Sequence, residues 1–249
     1  MLLKTKEKIL DLNIKAQPDD VTCGPTCLHG VYQYYDDNVS LRQVIDEVKQ
    51  LASGGTIAVL LGNHALKRGY NATIYTYNLG TFDPSWFKKR VDLTDKLKEQ
   101  VKAKPEDEKL QVATAGYLQF LSNGGTIKFE ELTPNLIKYF LTKKIPILTG
   151  LSSTYLYESP RETGEFIIGT GEYVIRYDDV NGAPTGHFVI INGFNQEKRL
   201  AFIADPLDPN PISEKQYYKV SFHKLINSIM LGVMTYDANL LIIYPKKYA

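Results

Sequence analysis

The chain has 249 residues, of which 43% are hydrophobic and 23% are charged, a composition typical of a globular protein with a substantial core. Its formal net charge of +1 argues against nucleic acid or an anionic membrane surface as the main partner. The first residues are too charged for a signal-peptide core, and no apolar run is long enough to span a bilayer. Two cysteines cannot build a disulfide framework, so we expect a reducing, cytoplasmic setting.

Helices are predicted mainly in the first half of the chain. Thr26–Tyr35 follows a Cys-Gly-Pro turn, and Leu41–Leu51 begins after a capping box formed by Ser40 and Gln43. Ile57–Lys67 carries apolar residues at helical spacing. Two later helices are predicted where Thr133 and Ser221 stand at N-cap positions.

A charged segment at about 83–130 differs from its surroundings. It is rich in lysine and glutamate and is broken at Pro105, which predicts a pair of solvated helices. We interpret it as a helical insertion over one face of the core, either an exposed arm or a lid that grips substrate. The rest of 1–249 is predicted to be a single domain around it.

Strands are predicted from short β-rich or apolar runs, most of them in the second half of the chain. These runs are Asn71–Tyr77, Ile145–Leu151, Phe166–Ile168 with Tyr173–Tyr177, His187–Phe194 with Leu200–Ala204, and Asn239–Tyr244. Residues 152–164 are predicted to be a loop. Helices gathered early and strands gathered late predict an α+β fold, not an alternating βαβ fold.

Cys23 is the strongest candidate for a reactive side chain. Gly24 permits a tight turn and Pro25 suits the first turn of a helix, so Cys23 is predicted at a helix N-terminus. Thiols at such positions have lowered pKa values in general, and the thiolate is the nucleophilic form. Cys27, one turn further on, is predicted to be a small buried core residue.

His187 and Asp205 are the predicted partners of this thiol. His187 opens an apolar strand after a Gly/Pro-rich loop, where a titratable side chain is unlikely to serve packing. Asp205 follows Leu200–Ala204, and an antiparallel pairing with His187–Phe194 would return it to the end of the sheet where His187 lies. A turn role in the sequence Asp-Pro is the alternative for Asp205.

Gln17 is the predicted donor for a developing negative charge. It stands shortly before Cys23, and a loop through Pro18 could bring its side-chain amide back to the sulfur. Together with the backbone N–H of Cys23 it would form an oxyanion hole.

The order Gln-x5-Cys-Gly-Pro-Thr, then Gly-His-Phe-Val-Ile-Ile-Asn-Gly-Phe, then Ile-Ala-Asp-Pro resembles the C39-like cysteine peptidases of the papain-like superfamily. The resemblance extends over roughly 16–206. The bacteriocin-processing peptidase domains are relatives of this family. It implies a helical N-terminal part packed on a C-terminal antiparallel sheet. It also implies Cys23 as nucleophile, His187 as base, Asp205 as its orienting group and Gln17 as oxyanion donor. The segment 83–130 has no counterpart in the family pattern.

The function predicted on these grounds is a thiol hydrolase that cleaves a peptide or isopeptide bond through an acyl-enzyme, acting on a peptide or protein and needing no cofactor. Two alternatives use the same residues: an inactive peptide-binding module, and an acyl or γ-glutamyl transferase. A zinc site from Cys23, Cys27 and His29 is disfavoured because structural zinc takes four ligands and His29 is predicted on another helix face. The substrate and the oligomeric state are not specified by the sequence.

Overall fold

The computed structural model describes residues 5–51, 54–88, 91–166 and 173–246. The strands are β1 Glu7–Ile9, β2 Tyr70–Thr76, β3 Thr126–Lys128, β4 Ile147–Ser152, β5 Glu162–Phe166, β6 Tyr173–Tyr177, β7 Gly186–Asn195, β8 Leu200–Ala204, β9 Tyr217–Ser221 and β10 Asn239–Pro245. The helices are α1 Cys23–Tyr34, α2 Leu41–Glu47, α3 Ala58–Lys67, α4 Leu93–Ala103, α5 Glu108–Ser122, α6 Pro134–Thr142, α7 Ser153–Tyr157 and α8 Phe222–Leu231, with short 3-10 turns at Pro84–Phe87 and Gly232–Thr235. In these ranges no helix combines the length and the apolar character needed to cross a bilayer.

One large sheet organises the fold. Its order is β3-β2-β10-β4-β7-β8-β9, and β1 pairs with β7 outside this path. All neighbours are antiparallel except β2 and β3. The predicted α+β class is confirmed, although the sheet also takes β1 and β2 from the first half of the chain.

The sheet is buried on both faces. Phe188 and Ile190 of β7 belong to the core cluster that also contains residues of α1, α3 and α5. Val189 and Ile191, which alternate with them, belong to a second cluster with residues of α6 and α8. A strand covered on both faces reads as a continuous apolar run, which explains the sequence Phe-Val-Ile-Ile in β7.

The segment predicted as a charged insertion contains two long helices with different surroundings, besides a 3-10 turn and β3. In α4 only Leu97 is buried, and Asp92 caps its start by accepting a hydrogen bond from the N–H of Thr94. By contrast, α5 buries several residues, and its Tyr117 packs edge-on against Phe82 at a centroid distance of 4.8 Å. The first helix is therefore mostly an exposed element, whereas the second is part of the main core.

Three sequence predictions differ from the structure in detail. The predicted helix Leu41–Leu51 ends at Glu47, and the predicted loop at 152–164 contains both α7 and the start of β5. The strand predicted at Phe166–Ile168 lies earlier, because β5 pairs with β6 from Glu162 onward. Ile168 itself lies outside the described residues.

The anchoring of α4 by Leu97 can be tested by substitution. Leu97→Ala should lower the free energy of unfolding by about 2–5 kcal/mol, because a fully buried leucine loses both its transfer free energy and its packing. Lys98→Ala, on the exposed side of the same helix, should change it by less than about 0.5 kcal/mol. Chemical denaturation of the three proteins measures both effects, and equal small changes would mean that α4 is not anchored through Leu97.

Candidate active site

The candidate residues meet at one end of the sheet. β7 and β8 pair antiparallel, with Ile190 opposite Ala204, so the start of β7 and the end of β8 lie side by side. His187 is the second residue of β7, and Asp205 directly follows β8. The backbone geometry that was predicted to return residue 205 to residue 187 is therefore present.

His187 and Asp205 form a buried ion pair. Nε2 of His187 lies 2.8 Å from Oδ1 of Asp205, and the two side chains are 8% and 0% exposed. Burial opposes the charged imidazole, but the charge of Asp205 and the neighbouring Cys23 outweigh it and raise the pKa of His187 to about 10. At neutral pH this histidine is an imidazolium.

Cys23 faces the same imidazole. It is the first residue of α1, it is 9% exposed, and a hydrogen bond with its side chain is among the interactions that raise the pKa of His187. Because Asp205 occupies Nε2, the ring nitrogen left for the sulfur is Nδ1. As the first residue of the helix, Cys23 also has a backbone N–H without an intrahelical acceptor.

Asp205 is held by three further donors. The hydroxyl groups of Tyr157 and Tyr218 donate to Oδ2 at 2.8 and 2.7 Å, and the N–H of Leu207 donates to Oδ1 at 3.0 Å. Burial alone would raise the pKa of Asp205, but His187 and the hydrogen bonds from Tyr218 and Leu207 bring it below its usual value. The carboxylate is thus fixed in both orientation and charge.

The two tyrosines were not identified from the sequence. Tyr157 lies on α7, in a stretch predicted to be a loop, and Tyr218 lies on β9, which was not predicted. The alternation of Tyr218 and Val220 with the polar residues Lys219 and Ser221 was the available signal for β9, and it agrees with the burial pattern of the strand. No local pattern connects either hydroxyl to a carboxylate so far away along the chain.

The main chain of Gln17 is hydrogen-bonded to the residue that follows Asp205. Its N–H donates to the carbonyl of Pro206 at 2.9 Å, next to Asp205. Its side-chain Nε2 donates to the carbonyl of Asp19 at 2.8 Å, which leaves one of the two amide hydrogens for another acceptor. Oε1 is buried and has no hydrogen-bond partner among the described residues.

Cys27 has a different environment from Cys23. It is fully buried, and its thiol donates to the carbonyl of Phe188 at 3.2 Å. Burial, and then the charges of Cys23 and Asp205, raise its pKa well above the usual value, so it stays protonated. In the described part of the chain no three His, Cys, Asp or Glu side chains are grouped as metal ligands.

The remaining buried histidines have structural surroundings. Nδ1 of His64 lies 2.8 Å from the hydroxyl of Tyr32, and Nε2 lies 3.0 Å from Glu47. His29 is 2% exposed, and burial lowers its pKa. Neither side chain is among the groups that act on the pKa of His187.

Similarity to known proteins was found among solved structures, whereas no family model and no curated protein matches the chain. One such structure is a protein from Bacillus anthracis described as a C39-like peptidase. Its TM-score is 0.51 at 12% sequence identity, and the alignment covers 97% of this chain and 99% of that one. The chain has the C39-like peptidase fold.

Two other peptidase structures align over most of the chain. One is a double glycine motif protease from an AMS/PCAT transporter in complex with the leader peptide, with a TM-score of 0.46, 16% identity and coverage of 96% of this chain and 95% of that one. The other is xylellain, a cysteine protease from Xylella fastidiosa, with a TM-score of 0.42, 15% identity and coverage of 97% and 86%. The predicted C39-like fold is confirmed by the Bacillus anthracis structure.

The hydrogen bond from Tyr218 to Asp205 makes a testable contribution to stability. Tyr218→Phe should lower the free energy of unfolding at pH 7 by about 1.5–3 kcal/mol, the usual range for a hydrogen bond to a charged group. Asp205 has a depressed pKa when folded, so its favourable contribution is present above the unfolded value and is lost as the pH falls through the folded value. The deficit should therefore shrink below pH 4.

Tyr217→Phe is the matched control for this substitution. The Tyr217 hydroxyl donates to the carbonyl of Leu12 and accepts from the N–H of Ile14, so its loss removes bonds to uncharged partners only. Denaturation curves of both variants between pH 3 and pH 7 should show a pH-dependent deficit for Tyr218→Phe alone. A constant deficit in both variants would contradict a role for Tyr218 in holding a charged Asp205.

Proposed function

We propose that the chain is a cysteine peptidase that hydrolyses a peptide or isopeptide bond with Cys23, His187 and Asp205 as its catalytic triad. The observation that carries the proposal is the buried 2.8 Å contact of His187 with Asp205, on an imidazole whose other nitrogen is available to the thiol at the start of α1. A nucleophile, a base and a group that orients the base are the parts that covalent catalysis of acyl transfer requires.

Acylation begins with the Cys23 thiolate and the His187 imidazolium. The sulfur attacks the carbonyl carbon, an S–C bond forms, and the carbonyl π electrons move to oxygen. As the tetrahedral intermediate collapses, the C–N bond breaks and Nδ1 of His187 gives its proton to the leaving amine. A histidine with a raised pKa favours this step because it carries the proton before the substrate arrives.

Deacylation reverses the role of the histidine. The neutral imidazole accepts a proton from water, whose oxygen attacks the thioester carbon. The C–S bond then breaks and the carboxylic acid product leaves, which restores the thiolate and the imidazolium. Asp205 keeps the ring oriented throughout and stabilises its charged form.

Gln17 and the backbone of Cys23 would stabilise the oxyanion. The N–H of Cys23 and the free hydrogen of the Gln17 amide are the uncharged donors that we assign to this role. The N–H of Gln17 donates to the carbonyl of Pro206, the residue after Asp205. This hydrogen bond fixes the backbone of Gln17 next to the segment that carries Asp205.

Turnover of peptides tests the proposal directly. A positional library of fluorogenic peptides should be cleaved by the wild type and by Cys27→Ala, whereas Cys23→Ala should give no turnover above background because it lacks the nucleophile. Cys27 lies in the core and serves as the matched thiol control. Cleavage by Cys23→Ala at the wild-type rate would refute the proposal.

Alkylation separates an enzyme from an inactive peptide-binding module. Iodoacetamide at pH 7 should label Cys23 rapidly and Cys27 slowly, because each unit of upward pKa shift at Cys27 lowers its thiolate population about tenfold. Mass-spectrometric peptide mapping gives the two rates. Equally slow labelling of both cysteines would favour the binding module.

A further inference from the structure

One buried carboxyl group next to His187, that of Asp237, has no part in the triad. Asp237 lies between the 3-10 turn Gly232–Thr235 and β10, and it is 6% exposed. Its backbone N–H donates to the carbonyl of Gly232 at 2.9 Å, which fixes the position of the residue. Its Oδ1 is buried and has no hydrogen-bond partner among the described residues.

Two glycines make room for Asp237 at the end of the sheet. A Cβ added at Gly186 would overlap Oδ2 of Asp237, and a Cβ added at Gly150 would lie 2.8 Å from the Cβ of Asp237 and 2.7 Å from its carbonyl oxygen. Any other residue at these positions would displace the aspartate. Because Gly186 directly precedes His187, the carboxyl lies against the backbone that positions the catalytic base.

Among the described residues, no cationic side chain forms an ion pair with this carboxyl. Thr235 provides a hydroxyl contact, and His187 is the nearby cationic group, which is already paired with Asp205. The pKa of Tyr117 on α5 is raised by burial and then by the charge of Asp237, so this uncharged side chain lies near the carboxyl. Burial of Asp237 raises its own pKa well above the usual value.

A buried carboxyl without a hydrogen-bond partner is costly, and one with a perturbed pKa beside a candidate active site is a candidate for ligand binding. Gly186 and Thr235, which lie against the Asp237 side chain, are partly exposed. Gly186 presents no side chain to an approaching ligand. A long, thin side chain that passed over Gly186 with its apolar stem would bring a terminal positive charge towards the carboxyl.

We propose that Asp237 determines specificity by pairing with the ammonium or guanidinium group of a lysine or arginine side chain next to the scissile bond. This inference rests on the proposed peptidase function and adds the substrate class to it. The cation supplies the partner that Oδ1 lacks, whereas a neutral side chain of similar length leaves the carboxyl unpaired. Discrimination of this kind is strong because the unpaired group stays buried in the complex.

The test compares peptides that differ in one charge. In the fluorogenic library, one position beside the scissile bond should favour lysine or arginine over glutamine by about 10²-fold in kcat/KM. In Asp237→Asn this ratio should fall to about one. Asp95→Asn, which removes an exposed carboxyl in the first turn of α4, is the matched control and should retain the wild-type ratio.

A second arm does not depend on the folding of any variant. Acetylation of the lysine in the preferred peptide removes its charge, and the wild type should then cleave it about as slowly as the glutamine peptide. Cleavage without a preference for a basic residue, or a preference that survives in Asp237→Asn, would overturn the assignment of Asp237 alone. If the wild type cleaves no peptide of the library, the peptidase proposal fails and this inference fails with it.

Discussion

The candidate site depends on a charge pair that the protein interior opposes. Burial favours a neutral imidazole at His187 and a neutral carboxyl at Asp205, yet their contact at 2.8 Å keeps both charged. The pair is sustained because Tyr157, Tyr218 and the N–H of Leu207 satisfy the remaining lone pairs of the carboxylate. A buried ion pair without such donors would lose more in desolvation than it gains in attraction.

The side chains around this ion pair come from both faces of the sheet. Cys23 is positioned by the packing of α1 on one face of the sheet, within the first core cluster. Tyr157 and Tyr218 are positioned on the other face, by packing in the second cluster. His187 and Asp205 stand between them on adjacent strands, so the network connects both layers at one end of the sheet. A change in the register of β7 and β8 would separate all of these contacts at once.

The parts of this arrangement that could be predicted from sequence are those with a local cause. The turn before α1 follows from Gly24 and Pro25, and the return of Asp205 to His187 follows from antiparallel strand pairing. The α+β class follows from the order of helical and β-rich segments.

What could not be predicted has a non-local cause. Tyr157 and Tyr218 reach Asp205 only because α7 and β9 pack beside it, and nothing in their own surroundings indicates a carboxylate. The burial of α5 depends in the same way on contacts of Tyr117 with a distant aromatic residue, although its neighbouring charges suggested a solvated helix. The space for Asp237 likewise depends on Gly150 of β4 and Gly186 of β7, which are distant from it in sequence.

The titration of His187 tests the central claim most directly. Imidazole NMR signals of the wild type, followed from pH 5 to pH 11, should show His187 losing its proton near pH 10. In Asp205→Asn the largest attraction is gone, while burial and the interaction with Cys23 remain, so the pKa should fall well below its wild-type value. A wild-type His187 that titrates near 6.5, and does so unchanged in Asp205→Asn, would contradict the account.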